Sequence, residues 1–67
     1  LMTCAIGDQI SPIFARADNP LLAGARVIAI EYSGDDRMVT VRDRHDLFSA
    51  IIMLNKSKII SVKYIVE

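Results

Sequence analysis

Residues 26–42, RVIAIEYSGDDRMVTVR, leave this chain little choice but a β-hairpin. Two runs rich in β-branched side chains, 26–33 and 37–42, flank SGDD at 33–36, where Gly34 can take the positive φ of a tight turn. The first run alternates, with Val27, Ala29 and Glu31 on one side and Ile28, Ile30 and Tyr32 on the other. The second sets Val39 and Val41 against Met38, Thr40 and Arg42.

The same period recurs at the C-terminal end. In IISVKYIVE, Ile60, Val62, Tyr64 and Val66 share one face, and Ile59, Ser61, Lys63 and Ile65 the other. LFSAIIML, residues 47–54, fits either period, but its length and its paired isoleucines favour a strand. NKSK at 55–58 is a short polar turn between these two. Residues 6–16, IGDQISPIFAR, read as a first strand that Pro12 confines to an edge or bends. A loop, ADNPLLAGA, fills 17–25 and carries Leu21 and Leu22, two leucines that either fold back onto the core or face a partner.

Five strands, a long loop after the first and tight turns thereafter make an all-β chain whose order resembles the small SH3-like barrel. Sm-like proteins are similar in strand arrangement. The alternative is an α+β fold with a helix over 46–54. The aromatic groove of proline-binding SH3 domains needs more than the two Tyr and no Trp present here, and the asparagine and glycine signatures of Sm-type RNA binders are absent.

At 67 residues the chain is expected to form one domain, with residues 1–5 a loose lead in which Met2 is the initiator. A domain this small buries only about 60% of its unfolded surface. One cysteine, Cys4, and one histidine, His45, allow neither an intrachain disulfide nor a four-ligand zinc site. Apolar burial must therefore suffice. With glycine included and tyrosine set aside, 36 of 67 residues are apolar, above the usual share of about 45–50%. A small body cannot hide that surplus, so an association surface is expected: a homo-oligomer, or docking on another protein. Leu21, Leu22, Ile51, Met53, Ile59 and Ile65 are the expected contact residues.

The net charge of zero divides unevenly, about −3 over residues 1–36 and +3 over 37–67. A neutral chain has no general attraction to nucleic acid. The cluster RDRHD, residues 42–46, is read as a solvated turn. As a catalytic pair, His45 with Asp43 or Asp46 would need an enclosed pocket that a turn seldom forms. Arg42, Arg44, His45, Lys56 and Lys58 are the candidates for an anion or nucleic-acid contact. The turn and NKSK should lie about 20–25 Å apart at opposite ends of the intervening strand, too far for one compact phosphate site. SGDD lacks the rest of a calcium loop, and Gly7-Asp8 lacks a phosphate-cradling glycine run. No catalytic residue, cofactor or metal is expected. No apolar run is long enough to span a membrane as a helix, and the lone thiol suits a reduced, cytoplasmic setting.

Overall fold

The structure, a computed structural model, describes Gly7 and residues 22–66. Four strands follow one another: β1 (Arg26–Ser33), β2 (Asp36–Arg42), β3 (Phe48–Asn55) and β4 (Lys58–Val66). They form one antiparallel sheet in the order β1-β2-β3-β4. β1 and β4 do not meet, so the sheet formed by the described residues is open. The expected first strand at 6–16 lies outside the described residues, apart from Gly7, whose amide donates to the Val27 carbonyl at 2.7 Å.

Residues 48–55 are a strand, which overturns the alternative of a helix over 46–54. The reason is position. β3 is paired along both edges, for instance Val39 with Ile52 and Ile52 with Val62. Every one of its residues is at least half-buried. A central strand covered on both faces can carry an unbroken apolar run, and eight residues suit that role.

The core forms on one side of the sheet. Val27, Val39, Val41, Ala50, Ile52 and Leu54 are fully buried there, with Ile30, Phe48, Ile59 and Val62 packed around them. Leu22 and Ala25 complete it from a turn just before β1, closed by the Ala25 amide donating to the Leu22 carbonyl. Of the two loop leucines, Leu22 has therefore folded back onto the core, while Leu21 lies outside the described residues.

Simple alternation fails at one point in each outer strand. The β1–β2 register slips between Val27 and Ala29, so Ile28 has no partner and Ile30 joins Val27 on the core side. The β3–β4 register slips near Met53 and Leu54: Leu54 faces Ile59 and Met53 faces Ser61, so Ile60 is skipped. Ile59 thereby shares the core side with Val62, and Ile60 is exposed. Both are bulges, one extra residue that resets the period of two. The expected face assignments for residues 28–32 and 59–60 are corrected accordingly.

Candidate functional site

The β2–β3 turn, residues 43–47, is organised by Asp43. Its backbone pairs with Phe48 and Asp46, the Asp43 amide donating to Phe48 at 3.1 Å and the Asp46 amide donating to Asp43 at 3.0 Å. Its carboxylate accepts three more amides: Leu47 at 2.6 Å and Phe48 at 2.8 Å on Oδ1, and His45 at 3.0 Å on Oδ2. Burial opposes the charge on Asp43, but the Phe48, His45 and Leu47 amides outweigh it, with help from the nearby His45 ring. Together they hold the carboxyl below its ordinary value of 3.8. Asp46 takes the left-handed φ of 57° that lets the turn close.

The other charges of the cluster are tied to the same turn. Arg26 and Arg42 face each other across β1 and β2, and Asp46 Oδ1 lies 3.9 Å from both guanidinium groups. Such exposed pairs are each worth about 0–1 kcal/mol. Arg42 also donates to Ser49 Oγ at 3.1 Å and to the Asp46 carbonyl at 2.7 Å. Arg44 donates to His45 Nε2 at 3.1 Å. The Arg44 side chain also lies across Gly24, its Cδ 3.3 Å from where a Cβ would stand. RDRHD is thus a built turn: Asp43 holds backbone, Arg42 braces strand ends, and His45 sits exposed beside an arginine.

Lys56 lies in the β3–β4 turn and Lys58 opens β4, both at the far end of β3. The Lys56 amide donates to the Asp35 carbonyl of the neighbouring hairpin turn at 3.2 Å, and Asn55 Nδ2 donates to Asp36 Oδ1 at 2.6 Å. Eight residues of strand separate this end from Arg42, Arg44 and His45, about 23 Å at the rise of a strand. The structure does not gather the five candidate anion contacts into one site. Among the described residues no His, Cys, Asp and Glu side chains group to hold a metal. No helix among them is long and apolar enough to cross a membrane.

A shallow groove of about 260 Å³ opens near the β1–β2 turn, lined by Glu31, Tyr32, Ser33, Asp36, Met38 and Met53. Met38 and Met53 are paired directly across β2 and β3 on the side away from the core. Ile51 lies on that side too, and both Ile51 and Met53 are half-buried.

The exposed apolar side chains are concentrated elsewhere. Of seven large ones among the described residues, four lie on β4: Ile60, Tyr64, Ile65 and Val66, with 60%, 39%, 39% and 81% of their surface open. Of the expected contact residues, Ile65 stands exposed on this strand and Ile59 packs against the core. Sequence reasoning missed Ile60 because even alternation put it on the same face as Val62, while Val66 does share that face and is exposed at the end of β4. The visible clue to Ile60 was the doublet Ile59-Ile60, where an extra apolar residue breaks the alternation. No family model, curated protein or solved structure matches this chain.

Proposed function

We infer that this protein works by association, as a homo-oligomer or as an accessory module docking on another protein, and that it has no catalytic role. The observation behind this reading is the apolar exposure along β4, which lies at an edge of the described sheet and beyond the core cluster. Apolar side chains left open along one strand support an interaction site on a protein surface. The full form we propose is a five-stranded SH3-like barrel in which residues 6–16 flank β1. The Gly7–Val27 hydrogen bond supports that placement.

Light scattering over a concentration series tests the reading. A mass that rises above that of one chain, and falls back in Ile65→Asp with the melting temperature little changed, is the expected result. A single-chain mass at every concentration, with no partner retained by the immobilised protein, would end it. Contact with a nucleic-acid backbone is the second reading, resting on the exposed Arg44, Lys56, Lys58 and Lys63. It requires binding that weakens as salt is added.

A further inference from the structure

We propose that the groove at the β1–β2 hairpin receives a single arginine side chain from an extended segment of another protein, with Glu31 and Asp36 meeting the guanidinium and Met38 and Met53 lining its aliphatic stem. The site lies on the face of the sheet away from the core and does not rest on the apolar exposure of β4.

Two rows of that face build the groove. Strand pairing sets Glu31 opposite Met38 and Met38 opposite Met53, so one row runs from a carboxylate to two thioethers. The next row holds Ser33, Asp36 and Asn55. Glu31 and Asp36 are diagonal neighbours across β1 and β2, about 7–8 Å apart at their Cβ atoms. One cationic head can therefore reach both.

The chain does not neutralise these charges itself. Asp36 Oδ1 accepts from Asn55 Nδ2, an uncharged donor, at 2.6 Å. Among the described residues neither Glu31 nor Asp36 has an ion pair. Arg37 alternates to the other face, opposite Leu54.

Size and chemistry narrow the occupant. A shallow groove of about 260 Å³ falls below the usual range for small-molecule pockets, about 300–1,000 Å³, and suits one side chain lying along the sheet. Two carboxylates beside an apolar floor call for a cation on an apolar stem. Arginine meets both demands, because its planar fork of donors can engage two carboxylates and is weakly hydrated. Its stem can lie on the adaptable methionines. Lys58 and Lys63 stand at the β4 ends of the rows on either side of Met53. They repel a run of basic residues, so the segment carries one arginine among uncharged neighbours.

Nuclear magnetic resonance on the whole chain, observed at methionine methyls and backbone amides, tests this. The probes are an alanine peptide with one central arginine and the same peptide with citrulline, the uncharged isostere. At millimolar concentration the arginine peptide should shift the Met38 and Met53 methyls and the amides of residues 31–33, and leave the β2–β3 turn in place. The citrulline peptide should bind about tenfold more weakly, and Glu31→Gln should weaken the arginine peptide about two- to fivefold, the share of one exposed ion pair. The Glu31 side chain is exposed and makes no hydrogen bond or ion pair within the fold, so circular dichroism should show this variant folded. Equal binding of the citrulline peptide, no loss in Glu31→Gln, shifts confined to other surfaces, or no shift at all would overturn the proposal. Movement of the same methyls on concentrating the protein alone would mean that a second copy fills the groove, and would also overturn it. These outcomes are separate from the mass measurement: a chain that stays monomeric can bind the peptide, and one that assembles can leave the groove empty.

Discussion

Asp43 shows how one side chain can determine a turn. Three amides converge on its carboxylate, and the segment from His45 to Phe48 is shaped around it. Asp43→Ala leaves those donors without the acceptor and should lower the urea midpoint more than any other single change between residues 42 and 46. Asp43→Asn keeps one oxygen but turns a donor toward a donating amide, so it too should be destabilised at neutral pH. Because the folded carboxyl titrates below 3.8, its contribution is fully present above that value and is lost as pH falls through the folded value. Denaturation at a series of pH values should therefore show the parent and Asp43→Asn converging below about pH 4. A constant gap would mean that charge on Asp43 is not what holds the turn. Gly24 is the other position with little freedom: its φ of 74° and the overlying Arg44 predict a loss of about 1–2 kcal/mol for Gly24→Ala, read from urea unfolding.

The elements follow from local chemistry with two exceptions. The SGDD hairpin was legible because Gly34 supplies the positive φ of 58° that the turn uses. The β3–β4 turn was not, since Lys56 and Ser57 hold φ of 49° and 66° without being glycine or asparagine. Positive φ at both positions is the pattern of a type I′ turn. Lys56→Asn with Ser57→Gly should relieve that strain and raise stability by about 1 kcal/mol, measured by urea denaturation. The bulges are the second exception. They reverse the roles of adjacent isoleucines, which a substitution series can check. Ile60→Ala should change stability by no more than about 0.5 kcal/mol. Ile59→Ala should cost more, because Ile59 packs against the core, and Ile52→Ala, fully buried, about 2–5 kcal/mol. Equal losses at 59 and 60 would contradict the bulge.

At the scale of the molecule, the strand β3 is what prevents a basic site. It places Arg42, Arg44 and His45 at one end and Lys56 and Lys58 at the other. Arg42 is further engaged with Ser49 and Asp46. The nucleic-acid reading accordingly predicts, at best, low-salt binding with a shallow salt slope, since few phosphates can be met together. Fluorescence titration against single-stranded RNA at two salt concentrations would reveal it. Self-association through apolar surface should respond in the opposite sense, holding or strengthening as salt rises.

What the amino-acid order determined by itself was the β class, the three strands at 26–33, 37–42 and 59–66, the glycine turn and the polar character of residues 42–46. Each rests on neighbours a few positions apart, where side-chain period and turn chemistry act. The tertiary structure alone decided that 48–55 is a central strand, that Leu22 completes the core, that Asp43 is a structural acceptor, and that Ile60 and Val66, rather than Ile59, stand outside. These depend on which backbone lies alongside. A one-residue slip in pairing exchanges buried and exposed faces, and the pairing is set by packing between segments distant in sequence.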